Sequence, residues 1–233
     1  MKFYYNTGPN PAKVALFLEE ASLKYEVVPV DARKGEQHAP EFRAINPNGK
    51  LPAIVNDGVR VFDSTAILLY LGQMTGKFYL PPENGAHAEM LSWMLFIASG
   101  VGPFSGQAVH FMRDAPEPKA YALNRYTFEA ERHWLIVEAQ LAKGRYMLGD
   151  TYSIVDMSLW GWGRVMQYLA GPEAWRERFP NLRRLIDEID ARPAADRAKA
   201  LAQKFQFKQE MDKDAKRHMF PQNERLASDV ARG

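Results

Sequence analysis

The chain has no cysteine among its 233 residues. That absence excludes structural disulfides, thiolate metal sites and a protein thiol nucleophile, so any thiol chemistry must use a thiol that the ligand brings. No stretch reaches the roughly 18 apolar residues of a membrane span. The opening Met1-Lys2-Phe3-Tyr4-Tyr5-Asn6 lacks the long apolar core of a signal peptide. A soluble, cytoplasmic protein is the expectation. An excess of one charge sign is missing as well: 30 Lys and Arg against 28 Asp and Glu leave a formal net charge of +2, which predicts no strong nucleic-acid or membrane field. The histidines (His38, His87, His110, His133, His218) show no metal-ligand spacing on one helix, and there is neither a serine elbow nor a phosphate loop.

What remains is ordinary for a soluble globule, with 46% apolar and 25% charged residues and enough length for one large or two small domains. The first 80 residues alternate between two periods. Lys2 to Asn6 reads as a strand, Pro11 to Ala21 as a helix with Val14, Leu16, Phe17 and Leu18 on its buried side, and Tyr25 to Val30 as a second strand. This β-α-β unit implies a parallel pair with a right-handed crossover. A polar loop from Asp31 to Gln37 and a short helix near Pro40 to Ile45 follow. Ala53 to Val55 is a short apolar run, Asn56-Asp57-Gly58 is a tight-turn signal, and Val59 to Phe62 returns as the second arm of a hairpin. Ser64 then opens a helix to Thr75. The βαβ-then-ββα order belongs to small α/β domains with a mixed sheet. After a Pro- and Gly-rich linker at 79–85, strand signals nearly vanish. Ala86–Ala98, Lys119–Leu141, Ile154–Tyr168, Leu182–Ala191 and Ala194–Gln203 have helical spacing. We therefore expect an α/β domain over 1–78, an all-α domain over 86–203, and a charged extension over 204–233 that wraps over the body or is partly disordered.

Three places invite chemistry. In Gly8-Pro9-Asn10-Pro11, Pro11 suits the first position of a helix and Asn10 its N-cap. A capped helix alone would account for these residues. The functional reading starts from the donors that survive: Pro9 and Pro11 have no N–H, which leaves Asn10 and the Thr7 hydroxyl to face a ligand thiolate. A free thiol titrates near about 8.5. Lowering it by about two units needs roughly 2.7 kcal/mol. A helix dipole supplies about 0.3–1 kcal/mol and a hydrogen bond to a charged group about 1.5–3 kcal/mol, so a direct donor is required. Leu51-Pro52 opens a strand; trans is the ordinary state, and a cis bond would free the Leu51 backbone to pair with an extended peptide. Asp63-Ser64 starts a helix, where capping and the binding of a carboxylate or ammonium compete for the same groups.

Other features read as structural. Ser153-Ile-Val-Asp156 is a capping signature ahead of a buried helix. Trp93, Phe96, Trp134, Trp160 and Trp162 are core or interface residues. Gly100 to Gln107 breaks a long helix, and Arg132, near Glu129 and Glu131, is a solvated charge.

The order of these motifs resembles the cytosolic glutathione transferases up to about residue 203. Within that family, Gly102-Pro-Phe-Ser-Gly-Gln107, His110-Phe111, Lys34-Gly35 with Gln37, and Ala122 to Glu129 resemble the nu class, bacterial relatives of the yeast nitrogen-regulating prion protein. The resemblance implies a thioredoxin-like N-terminal domain with a four-stranded mixed sheet, a helical C-terminal domain, a homodimer, and glutathione as co-substrate with no metal. It implies that Leu51, before a cis Pro52, pairs its backbone with glutathione. Asp63 and Ser64 would hold the γ-glutamyl end, Gln37 and Lys50 would face the glycine end, Arg132 would be directed toward glutathione, and Asn10 would lie near the sulfur. Phe104, Gln107, His110 and Phe111 are expected to form the second-substrate pocket. The class has Thr-Pro-Asn where this chain has Gly8-Pro9-Asn10 with Thr7 one place early, and no Tyr, Ser or Cys stands at the usual transferase position; both imply weak conjugation. The leading expectation is glutathione-dependent reduction of a small disulfide or peroxide. Conjugation or ether cleavage on an aromatic electrophile, and a non-catalytic glutathione-binding regulator, are the alternatives.

Overall fold

The computed structural model of the chain describes residues 1–117 and 119–224. Four strands, β1 (Lys2–Tyr5), β2 (Glu26–Pro29), β3 (Ala53–Asn56) and β4 (Val59–Phe62), form one sheet in the order β2-β1-β3-β4. β1 and β2 are parallel with Phe3 opposite Val27, while β3 pairs antiparallel with both β1 and β4. The hairpin turn places Asp57 and Gly58 at φ 49° and 83°, the left-handed region that the Asp-Gly pair tolerates. Helix α1 (Pro9–Glu20) makes the crossover, and α3 (Ser64–Thr75) lies on the same face of the sheet as part of the main core. The short α2 (Pro40–Arg43) covers the other face, where Phe42 meets Tyr4. Strand alternation sends Phe3 and Tyr5 one way and Tyr4 the other, as the period of two requires.

The helical half runs α4 (His87–Phe96), α5 (Gly102–Arg113), α6 (Ala120–Leu141), α7 (Ile154–Gly163), α8 (Met166–Leu169), α9 (Ala174–Arg178), α10 (Pro180–Asp190), α11 (Pro193–Lys204) and α12 (Lys213–Met219). One apolar core joins both halves, from Phe3 and Phe17 to Ile154, Leu182 and Leu201. α1 is its axis: Val14 to Leu18 are all sealed from solvent, as expected of a helix covered on every side. α7 rests directly on α1. A Cβ on Gly161 would lie 2.6 Å from the Pro9 carbonyl oxygen and 3.0 Å from Lys13 Cβ, so glycine is what allows the approach. Ion pairs from Arg192 to Glu20 and from Arg197 to Glu19 tie α11 to the end of α1.

Several boundaries differ from the sequence reading. α1 starts two residues early, with Gly8 at the cap position and Pro9 at N1; both prolines fit the first turn because its N–H groups lack intrahelical acceptors. Asn10 is therefore inside the helix rather than its cap. The helix expected to break at Gly100 instead passes through a π turn at Ile97–Val101 straight into α5. That turn is fitted against the His133 ring, 2.4 Å from a Cβ placed on Gly100. The single helix expected over Ile154–Tyr168 is split into α7 and α8. The extension lies across the N-terminal half from Lys208 to His218, and 225–233 fall outside the described residues.

The Ser153–Asp156 capping box is present. Asp156 is fully buried and accepts from Met147 N (2.9 Å), Ser153 N (2.9 Å) and Ser153 Oγ (3.1 Å). Removing it strands two buried amides. Asp156→Ala should cost about 3 kcal/mol of stability, read as a lower urea midpoint, without altering ligand specificity; a melting curve matching the parent's would contradict this.

Candidate functional site

The end of β1 and the start of α1 open into a cleft between the two halves. Its main cavity, about 750 Å³, is walled by Asn10, Lys13, Lys50, Asp63 and Ser64 on one side and by α5 and Trp162 on the other. A recess of about 180 Å³ continues past Thr7, Gln37 and Leu51, sharing Asn10, Lys50 and Met219 with the cavity.

The first turn of α1 offers few donors. Pro9 and Pro11 have no N–H, and Ala12 N already donates to Gly8 O at 3.0 Å. Among the first-turn groups only the Asn10 N–H is left for a ligand, beside the Asn10 side-chain amide. Thr7 is exposed, with its hydroxyl 3.4 Å from Asn6 Oδ1. On the opposite lip the Leu51–Pro52 bond is cis, and the Leu51 backbone makes no backbone hydrogen bond among the described residues. Asn46, itself buried, shapes this lip: Nδ2 donates to Lys50 O (2.5 Å) and Oδ1 accepts from Asn48 N (3.0 Å).

At the start of α3 the competition between capping and binding is divided between two residues. Asp63, at φ 68°, caps the helix through Oδ1, which accepts from Thr65 N (2.8 Å) and Ala66 N (3.1 Å). Ser64 lines the cavity next to it. Gln37 is buried; its Nε2 donates to His218 O at 3.2 Å, while Oε1 has no partner among the described residues.

Two groups of residues reached the cleft without a sequence signal strong enough to assign them. Lys13 is 1% exposed and lies on the cavity wall. Burial pulls its ammonium down to about 8, opposed in part by the negative charge of Asp63. A lysine placed directly before the apolar run Val14 to Leu18 was the available clue. The second group belongs to the extension. Arg33 donates to Lys208 O (2.8 Å) and Gln209 O (2.6 Å), and Lys208 N donates to Asp31 (2.7 Å). The His218 ring lies against Gly35, where a Cβ would sit 2.5 Å away. Phe220 then meets the His110 ring of α5 at 4.7 Å. Met219, Phe220 and Gln222 thus form an outer wall of the cavity.

Of the residues expected in the second pocket, Gln107 and His110 line the cavity, with Gly106 and Pro103 on the same face of α5. Phe104 and Phe111 do not. They stand seven residues apart on the neighbouring face, packed on Tyr126 and His133 of α6. Arg132 also lies outside its own chain's cleft, exposed and paired with Glu129 at 2.9 Å. No group of three or more His, Asp or Glu among the described residues is placed to hold a metal, and no helix among them is long and apolar enough to cross a membrane.

Comparison with known proteins agrees with this architecture. Residues 1–73 match the glutathione S-transferase N-terminal domain model and 120–188 the C-terminal domain model. The chain belongs to the glutathione S-transferase family, in its nu or Ure2-like class. It is 38% identical over 213 residues to the disulfide-bond oxidoreductase YfcG of Escherichia coli K12, covering 86% of this chain and 94% of that protein. A glutathione transferase of Burkholderia graminis, solved with two glutathione molecules bound per subunit, superposes with a TM-score of 0.79 at 34% identity, over 85% of this chain and 87% of its own. The URE2P6 transferase of Phanerochaete chrysosporium, in complex with oxidized glutathione, gives 0.82 at 32% identity, over 87% and 96%.

Folded Lys13 loses its proton near about 8 and an unfolded lysine near 10.5. Between these values the unfolded chain holds more protons, so this residue makes stability rise with pH. Lys13→Met should match or exceed the parent's stability at pH 7, and the parent should gain on it from about pH 8 to 10. Urea melts across that range would reveal a constant gap if the assignment is wrong.

Proposed function

We propose that the chain is a glutathione-dependent disulfide reductase. The carrying observation is a peptide-sized cleft that ends on the free donors of Asn10, in a chain with no thiol of its own. Glutathione lies along the Leu51 margin as an added strand. Its glycine end is at Gln37 and Lys50, its γ-glutamyl end at Asp63 and Ser64, and its sulfur at Asn10. The bound thiolate attacks one sulfur of a small disulfide, forming a mixed glutathione disulfide and expelling one thiolate. A second glutathione thiolate attacks the mixed disulfide, giving glutathione disulfide and the second thiol. Two tripeptides in and two thiols out balance the electrons without a protein cysteine. The cavity, about 750 Å³, is in the upper half of the ~300–1,000 Å³ usual for small-molecule sites, and relatives of this fold hold two glutathiones or the oxidized form.

Conjugation of aromatic electrophiles is the weaker reading, because Phe104 and Phe111 turn toward α6 and leave Trp162 and Phe220 as the aromatic walls. We also propose a homodimer. Leu95 of α4 and Phe128 of α6 are 59% and 61% exposed, and Leu135 extends the stripe along α6. Arg132 stands on that stripe, so its contact with glutathione would be made in a second copy's cleft. Phe128→Glu should yield a monomer by analytical ultracentrifugation; an unchanged sedimentation coefficient would argue for another interface.

Asn10→Ala removes a charge-assisted bond worth about 1.5–3 kcal/mol. Reduction of hydroxyethyl disulfide should fall by about 10- to 100-fold, with the pH at which the bound thiol ionises moving upward. Unchanged turnover would remove Asn10 from its assigned place.

A further inference from the structure

We propose that Lys13 is a ligand-binding residue whose ammonium pairs with the α-carboxylate of the γ-glutamyl residue of glutathione. The assignment rests on the glutathione reading above and adds a residue to its γ-glutamyl end.

Geometry leaves the side chain few options. Lys13 follows Asn10 by one helical turn, within α1's buried surface, and Gly161 of α7 lies directly on its Cβ. The stem is clamped at the seam between the two helices. Its tip is not among the sealed, unpartnered polar atoms, and the residue lines the main cavity beside Asp63, Ser64 and Thr65. The ammonium therefore opens into the cleft. Its electrostatic companion is Asp63, which acts through space without a hydrogen bond.

The Lys13 ammonium has no hydrogen-bond or ion-pair partner among the described residues; an ammonium so placed is costly, and an apolar side chain of the same length would fill the seam without that penalty. The two opposite charges are also held apart rather than joined. The head of a γ-glutamyl residue carries an ammonium and a carboxylate on one carbon. Asp63 can receive the first and Lys13, with the Ser64 hydroxyl, the second. Had Lys13 and Asp63 closed on each other, neither would be available. The other ionisable side chains facing the cavity are Lys50, on the lip shared with the recess, and His110, on α5 against Phe220; α7 contributes Trp162 and no charge.

The test is calorimetry on the full chain with S-methylglutathione, which has no titrating thiol. Lys13→Met should bind it about 10- to 100-fold more weakly than the parent. It should show the same loss for S-methyl-γ-glutamylcysteine, which lacks glycine. With the 4-aminobutanoyl analogue, which lacks only the α-carboxylate, parent and variant should bind alike. Equal binding of S-methylglutathione by both proteins, or an equal loss for the analogue without the carboxylate, overturns the proposal. Failure of the parent to bind S-methylglutathione at all overturns the glutathione reading and this assignment with it. A second measurement avoids any variant: in 13C-lysine-labelled parent, saturating S-methylglutathione should move the Lys13 titration upward and the 4-aminobutanoyl analogue should not. An unmoved midpoint overturns the proposal.

Discussion

The contact of α7 on α1 at Gly161 is the constraint on which the rest depends. It buries α1 on all sides, so the sheet-bearing half and the helical half share one core instead of meeting at a soft interface. The cleft is the place where that core stops. Its floor is the N-terminal portion of α1, its walls come from both halves, and their separation is set by how closely two helix backbones approach. A methyl group at position 161 would push on the Pro9 carbonyl and on Lys13 together, at the floor of the cleft.

The chemistry at the floor follows from a shortage of donors. Two prolines in the first turn of α1 remove two N–H groups, and Gly8 O takes a third from Ala12. What remains is concentrated on Asn10. The helix dipole alone is too weak to ionise a thiol by the two units that neutral-pH exchange calls for, whereas one directed bond is of the right size. At the start of α3 the situation is reversed: Asp63 satisfies the backbone donors and frees Ser64 for another partner. One helix start is kept hungry and the other is fed by its own side chain.

Much of the fold was legible in the sequence because each signal was local. Asp57-Gly58 dictates its own turn, Ser153 and Asp156 cap their own helix, and Pro52 opens its own strand. The cleft was legible on its sheet side for the same reason. The helical side was not. α5 carries aromatic and polar residues on both faces, so spacing alone could not say whether Phe104 and Phe111 or Gln107 and His110 faced inward; packing on Tyr126 and His133 of α6 decided it. Lys13 was hidden by its apolar neighbours, whereas Arg132 reads as a solvated charge and is exposed, paired with Glu129. The π turn was read as a break because Gly100 and Gly102 suggest one, and only the ring of His133 shows why the helix continues.

The segment from Lys208 to Phe220 crosses from the helical half to the loop at 31–38 and returns to α5. One consequence concerns synthesis. A ribosome completes the sheet and its Leu51 margin long before it makes Met219 and Phe220, and N-terminal units fold first as they emerge. Until then the mouth lacks its outer wall, and the protein acquires its finished entrance only when a distant stretch of chain comes back to a surface formed much earlier.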